Sequence, residues 1–331
     1  MENKLDLIIV GGGPAGLACA IHARKHNLNF RLIEKGCIVN SIYHYPENMT
    51  FFTTAELLEI GNIPFVVDTE KPKRVDALKY YRRIVEHFQI PLRDYEKVTK
   101  ISGEDLNFTV ETQVRDGNLI RRNCRKVILA TGYFDNPNML KIPGENLAKV
   151  SHYYTDAHPY YRKKVAVIGG KNSAAIAALE LYRNGAEVIL IHRQKQLGRE
   201  IKYWILPDIL NRIKRKEIDV RFGSHVVEIR PREIVVITPR GEETIENDYV
   251  FALTGYHPDS GFMENVGIQV DPETCEPSHN AETLETNVRG IYLAGSVISG
   301  KMTNRIFIEN GRFHGLQIFP HLLKQLRAIQ V

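Results

Sequence analysis

The stretch Leu5-Asp6-Leu7-Ile8-Ile9-Val10-Gly11-Gly12-Gly13-Pro14-Ala15-Gly16 decides the fold. Leu5 to Val10 is a short apolar run and reads as a buried parallel strand, because a strand covered on both faces loses polar alternation. It breaks into a glycine turn that fits GxGxxG with Gly11, Gly13 and Gly16. Gly11 permits the tight turn off the strand, Gly13 lets a pyrophosphate approach the backbone, and Gly16 lets helix and strand pack closely. A helical pattern then runs to about His26, and Asn29 to Glu34 reads as the second strand. The helix N-terminus offers N–H groups and a partial positive charge to a pyrophosphate. Glu34 lies 18 residues past Gly16 and is placed to accept hydrogen bonds from ribose hydroxyls. A lone GxGxxG is a weak signal. A strand before it, a helix after it and an acid ending the next strand make it a strong one.

Working outward, residues 36–72 read as irregular, and Arg74 to Gln89 carries helical periodicity. From about 97 to 129 the pattern is that of strands, with Asp116-Gly117 as a hairpin turn. It closes in Ala130-Thr131-Gly132. A second cycle follows. Val165 to Ile168 is a strand, Gly169-Gly170-Lys171-Asn172-Ser173-Ala174 a turn, a helix runs to about Asn184, and Glu187 to His192 is a strand. More strands (219–253, with Arg240-Gly241 as a hairpin turn) close in Thr254-Gly255. This is the pattern of an internally duplicated nucleotide-binding unit. A last strand (Gly290 to Ala294), Gly295-Ser296 and a helix from about Asn304 to Leu326 belong to neither cycle. The expected fold is α/β, with two Rossmann-like doubly wound dinucleotide-binding domains. One is discontinuous, 1–150 and 257–331, and the other spans 151–256.

The second turn keeps Gly169 at the first position and a small residue, Ala174, at the third, with Lys171 in place of the middle glycine. Arg193, at the end of the following strand, stands where NAD sites carry an acid, and an arginine there suits a ribose 2′-phosphate. Lys195 and Arg199 add to the same charge. An acid after the first turn and a base after the second imply FAD on one domain and NADPH on the other. Such a pair passes hydride from nicotinamide to flavin, and the protein supplies orientation and electrostatics.

Composition bounds the alternatives. The 331 residues are 43% apolar and 25% charged, which is ordinary for a globular chain with a full core. The net charge of +5 is modest and scattered, so a nucleic-acid partner is not expected. No apolar run approaches membrane-spanning length. No signal-peptide pattern opens the chain, so a cytoplasmic location is expected. Cys19, Cys37, Cys124 and Cys275 form no CxxC pair, which argues against a disulfide scaffold, a structural zinc site and a dithiol active site. His152, His158 and His257 sit among Tyr and Pro without ligand spacing, so no metal is expected. The aromatic loop of Tyr43, Tyr45, Phe51 and Phe52 is a candidate to flank a flavin ring.

The two glycine turns, Glu34, Ala130-Thr131-Gly132 and the Gly295 segment together resemble the two-dinucleotide-domain flavoproteins. The chain length and the lack of a dimerisation domain resemble the low-molecular-weight thioredoxin reductase type. Ser41 to Pro46, Thr50 to Thr53, Gly169 to Ala174, Tyr203 to Pro207, Gly255 to Asp259 and Ile306 to Gly311 are similar to the bacillithiol-disulfide reductase family. The resemblance covers nearly the whole chain. It implies FAD contacts from Gly11, Gly13, Pro14, Ala15, Gly16, Glu34, Lys35 and Tyr43, and from Thr131, Gly132, Gly295 and Ser296. It implies NADPH contacts from Gly169, Lys171, Asn172, Ser173 and Ala174, and from Arg193, Lys195 and Arg199. Two positions depart from the pattern. Ala15 stands where that family has its proposed reactive cysteine, and Ser296 stands where the superfamily has an acid for the flavin ribityl. Cys19, one helical turn beyond Ala15, is a weak candidate nucleophile and a better candidate core residue.

The leading reading is an NADPH- and FAD-dependent oxidoreductase that reduces a low-molecular-weight thiol disulfide such as bacillithiol disulfide, in a homo-oligomer. The runner-up is a thioredoxin-reductase-like ferredoxin or flavodoxin NADP reductase, which needs no cysteine and hands electrons to a small redox protein. A flavin monooxygenase and a non-enzymatic redox sensor stand behind these two.

Overall fold

A computed structural model describes residues 4–198 and 200–327. The chain divides into two compact units, one made of 1–136 and 256–331, the other of 137–255.

In the first unit, β1 (Leu5–Val10) leads through the glycine turn into α1 (Pro14–Lys25) and β2 (Phe30–Ile33). A short α2 (Asn40–Tyr43) and a 3₁₀ turn (Ala55–Leu58) precede α3 (Arg74–His87). Next come β3 (Leu92–Arg93), β4 (Glu96–Glu104), β5 (Asn107–Val114) and β6 (Leu119–Leu129). These strands form one sheet in the order β3-β2-β1-β6-β5-β4. The long β6 serves three partners, and on one edge it runs parallel to β1. Its first half pairs antiparallel with β5, and its second half runs parallel to a strand from the end of the chain, Ile291–Leu293. The parallel core shows why β1 is apolar throughout. Leu7 and Ile9 join a cluster with Leu17, Ile21, Tyr81 and Ile318. Ile8 and Val10 join another with Val127, Leu129, Met263 and Ile291. Both faces of the strand are covered, and burial of each such side chain stabilises by about 1.5–3 kcal/mol.

The second unit repeats the plan. After β7 (Val150–Ser151) come β8 (Lys164–Ile168), α4 (Asn172–Arg183) and β9 (Glu187–His192). α5 (Leu206–Lys214) leads to β10 (Asp219–Phe222), and β11 (His225–Ile229), β12 (Glu233–Thr238), β13 (Gly241–Glu246) and β14 (Tyr249–Ala252) follow. Five strands form a parallel sheet in the order β10-β9-β8-β14-β7, and β11, β12 and β13 form a separate antiparallel one. The first unit then resumes with α6 (Ser260–Asn265), β15 (Ile291–Leu293), α7 (Ile308–Gly311) and α8 (His314–Arg327).

Three local expectations need correction. The final helix is two helices and begins at Ile308, because Asn310 turns its side chain onto the backbone. Its Oδ1 accepts the Phe307 amide at 2.8 Å and its Nδ2 donates to the Arg305 carbonyl at 2.8 Å, which caps the helix there. The second hairpin turns at Pro239-Arg240, and Gly241, at φ +118°, already pairs with Thr238. Residues 36–72 are not wholly irregular, since they hold α2 and the 3₁₀ turn. Among the described residues no helix is long and apolar enough to cross a membrane.

Candidate functional site

The first glycine turn sits at the carboxyl end of β1, the end at which open α/β sheets bind ligands. Gly11 has φ +107°, and a Cβ there would press on the Ala130 carbonyl. A Cβ on Gly16 would run into the Gly11 carbonyl, so α1 packs against the strand only because both residues are glycine. At Gly13 the opposite holds. A Cβ there meets nothing within 4 Å, so the backbone faces open space. Gly13 caps α1 in an extended conformation, and Pro14 follows as the first helical residue. The amides of Ala15 and Gly16 belong to the first turn, which has no intrahelical acceptors, and are donors for an anion.

Glu34 follows β2 and is 6% exposed. One carboxylate oxygen accepts the Gly12 amide at 2.6 Å and the other accepts the Gly36 amide at 2.9 Å. Burial raises its carboxyl above the usual range, and the two amides pull it back. Each oxygen keeps a lone pair for a further donor such as a ribose hydroxyl. Lys35 reaches Asp135, beyond Gly132, in a 2.8 Å ion pair. Since β2 and β6 flank β1 in the sheet, this pair joins the two loops on either side of the glycine turn.

The third segment arrives from β15. Gly295 has φ +78°, and a Cβ there would lie 2.7 Å from the Cβ of Ala15. Its amide donates to His314 Nδ1 at 2.9 Å. A Cβ on Gly132 would stand 3.4 Å from Ser296 Oγ, and one on Gly11 would stand 3.2 Å from the Thr131 amide nitrogen. The structure thus brings the turn 11–16, the segment 130–132 and Gly295-Ser296 together, as the motifs suggested. Gly311, which ends the family-like segment from Ile306, joins this cluster, since its added Cβ would lie 3.4 Å from the Gly295 Cα, and His314 is a residue of the cluster that the sequence did not reveal.

Cys19 does not belong to the site. It is fully buried in the core cluster of α1, and burial pushes its thiol up to about 12, which removes the thiolate that a nucleophile needs. Cys37 is partly buried, 3.7 Å from Asn40 Oδ1, with its thiol raised by burial and by Glu34. Tyr43 ends α2 half exposed, with the Arg74 guanidinium 5.4 Å from its ring centre. Tyr45 turns toward the segment after Gly132. Its ring centre is 5.2 Å from that of Phe134, which lies 4.9 Å from that of Tyr256.

In the second unit, Gly169 has φ +153°, and its added Cβ would lie 2.8 Å from Ala174 Cβ. This is the tight strand–helix contact that Gly11 and Gly16 make in the first. Lys171 caps α4 and lies 3.7 Å from Glu200. Asn172, the first residue of α4, is occupied with the loop beyond β9. Its Oδ1 accepts the Lys202 amide at 2.9 Å and its Nδ2 donates to the Glu200 carbonyl at 3.1 Å. Ser173 follows in the same first turn. The register corrects one assignment. Val10 pairs with Ile33 and Ile168 with Ile191, so the counterpart of Glu34 is His192, and Arg193 is the counterpart of Lys35. The His192 ring lies directly over Gly170, where any Cβ would strike it. Burial, with Arg193 adding to it, lowers the His192 pKa. Arg193 and Lys195 are exposed beside it, and Arg199 lies outside the described residues.

His152 stands 3.3 Å from Glu145, and His257 Nδ1 contacts the Pro258 carbonyl at 2.8 Å. His158 opens a 3₁₀ turn, with its amide on Asp156 Oδ1 at 3.1 Å. Among the described residues, no group of three or more His, Cys, Asp or Glu side chains could hold a metal ion.

Residues 8–295 match the pyridine nucleotide-disulphide oxidoreductase family. The chain is 45% identical over 320 residues to the bacilliredoxin reductase of Bacillus subtilis, covering 96% of this chain and 97% of that one. A solved bacillithiol disulfide reductase from Bacillus cereus superposes with a TM-score of 0.96 at 44% identity, over 98% of this chain and 100% of that one. Thioredoxin reductase from T. acidophilum shares the fold, with a TM-score of 0.77 at 21% identity over 98% and 100% of the two chains.

Proposed function

The chain belongs to the pyridine nucleotide-disulphide oxidoreductase family, and from that premise we propose that it is an FAD-dependent NADPH oxidoreductase that reduces a low-molecular-weight disulfide such as bacillithiol disulfide. FAD binds the unit made of 1–136 and 256–331, and NADPH binds the unit 137–255. When bound, the two supply hydride transfer from nicotinamide to flavin and electrons to the acceptor. The observation that carries the reading is the open space over Gly13 at the start of α1, with Glu34 at the neighbouring strand end. A pyrophosphate fits the first and a ribose the second.

In this reading the amides of Ala15 and Gly16 hold the FAD pyrophosphate, and Glu34 accepts from the adenosine ribose. Pro14 starts the helix without presenting a superfluous N–H. Thr131 and Gly132 stand beside the glycine turn and Ser296, and Lys35 is tied back by Asp135. Ser296 offers the ribityl chain an uncharged hydroxyl where an acid is usual. Gly169, Lys171, Ser173 and Ala174 form the second phosphate turn. Arg193 and Lys195, with Arg199, hold the 2′-phosphate beside His192. Asn172 contributes by fixing the loop at 200–202 to the helix start. Four cysteines without disulfides suit a cytoplasmic protein. The working form is a homo-oligomer.

Ala15 favours a second reading. Without a thiol at the turn, a small iron–sulfur or flavin protein is an acceptor that asks nothing of residue 15. A screen of acceptors against the NADPH-reduced protein separates the two. Reoxidation by bacillithiol disulfide supports the first reading, and reoxidation by a ferredoxin-like protein alone supports the second.

A further inference from the structure

We propose that His314 is a positioning residue of the flavin site, whose buried imidazole accepts the Gly295 amide proton and thereby aims the turn that presents Ser296. The inference rests on the reading of Gly295-Ser296 as part of the FAD site.

A buried backbone N–H must find an acceptor, and most find a carbonyl. The Gly295 amide instead uses the side chain of a residue 19 positions later, at 2.9 Å. That side chain is the first of α8 and is only 8% exposed. To accept at Nδ1 the imidazole must be neutral, with its proton on Nε2. Burial, with His279 adding to it, holds the ring in that state by pushing its pKa down to about 4.

The turn has little other freedom. Ala15 closes one side of Gly295, and Gly311 stands within contact distance on another. The amide direction is what remains, and His314 sets it. Ser296 follows directly, with its Oγ across from Gly132. A carboxylate at position 296 would draw a ribityl hydroxyl from a range of orientations by charge. A neutral hydroxyl needs alignment, since hydrogen bonds weaken steeply off axis. Precise aim of the backbone therefore matters more with serine than with an acid.

The test uses the full chain in three forms, parent, H314N and H314L. The asparagine Oδ1 can replace Nδ1 as acceptor, and leucine fills the space without one. Three quantities are read: the rate of FAD release by flavin fluorescence, the flavin absorption spectrum, and the hydrogen-exchange protection of the Gly295 amide in flavin-free protein. H314L is expected to release FAD about tenfold faster, the scale of one buried donor left unsatisfied. It should also shift the flavin bands and lose protection at Gly295. H314N should return all three close to the parent. The proposal is overturned if H314L matches the parent, or if H314N is no better than H314L. Should H314L fail to fold, H314N decides alone, because an altered spectrum with unprotected Gly295 overturns the proposal and a parental one supports it. A parent that binds no FAD would refute the site itself, and the Gly295 exchange readout would still report on the His314 contact.

Discussion

Ala15 and Gly295 face each other at van der Waals contact, so close that a Cβ on Gly295 would come within 2.7 Å of the Ala15 Cβ. The contact joins the first helical turn of α1 to the turn after β15, which lie 280 residues apart in the chain. It requires glycine at 295 and a small residue at 15. It also puts residue 15 beside the turn that carries Ser296, so a thiol at 15 would stand next to the proposed flavin site.

A thiol introduced at residue 15 tests this relationship. Ala15 is partly exposed. Ala15→Cys should raise turnover with a low-molecular-weight disulfide, because a thiolate that forms a mixed disulfide splits one hard step into two. The NADPH half-reaction, followed by flavin absorbance, should hardly change. Cys19→Ser should leave native turnover unaltered, since its thiol is buried and raised to about 12. Loss of disulfide turnover in Cys19→Ser would move the nucleophile one helical turn along the chain.

Gly13→Val should yield colourless protein. The position faces open space in the protein alone, so the fold tolerates the side chain, and what it blocks is the approach of a pyrophosphate. Folded Gly13→Val that retains flavin by absorbance would remove the first turn from the cofactor site.

Much of this site was legible in the sequence because its parts obey local rules. The strand Leu5–Val10, the glycine turn and Glu34 announce themselves by period and spacing, and the structure places them within a residue of expectation. The duplicated turn at 169–174 was readable for the same reason. What stayed hidden depends on register or on distant contacts. That His192, one residue before Arg193, is the counterpart of Glu34 follows from strand pairing, which aligns Ile191 with Ile33. His314 gave no signal, because nothing in a helix start predicts an acceptor for an amide 19 residues earlier. The late start of α7 at Ile308 was missed because apolar periodicity does not show that Asn310 bonds the backbone ahead of it.

Arg193→Ala should raise the Michaelis constant for NADPH by roughly 10- to 150-fold, the equivalent of about 1.5–3 kcal/mol for one charge-assisted contact, with little effect on NADH. Steady-state kinetics with both nucleotides measure it. Equal effects on the two would take Arg193 off the 2′-phosphate and leave Lys195 and Arg199 as the remaining groups proposed there.

Acid should destabilise the protein through His314. Its folded pKa of about 4 lies below the 6.5 of an ordinary histidine, through burial first and His279 second. The unfolded chain therefore binds more protons between these values, so stability is complete above pH 6.5 and declines as pH falls toward 4. The decline attributable to this ring reaches roughly 3 kcal/mol at about 1.4 kcal/mol per unit. His22, whose ring packs against Gly315, has its own pKa lowered by burial and by Lys25 and His26, and it contributes in the same direction. Thermal melts from pH 7.5 to 4.5 should therefore fall less steeply in H314N than in the parent. Identical slopes would show that the folded His314 ring takes up its proton at the ordinary histidine value, as the unfolded chain does.

Passage of electrons from NADPH through a bound flavin to a small disulfide can be followed step by step by anaerobic stopped-flow on the purified protein. The flavin absorbance should bleach when NADPH is added and return when bacillithiol disulfide follows, with thiol released in proportion to NADPH consumed. Flavin that bleaches with NADPH but stays bleached in excess disulfide, and recovers at once with a ferredoxin-like protein, would contradict it.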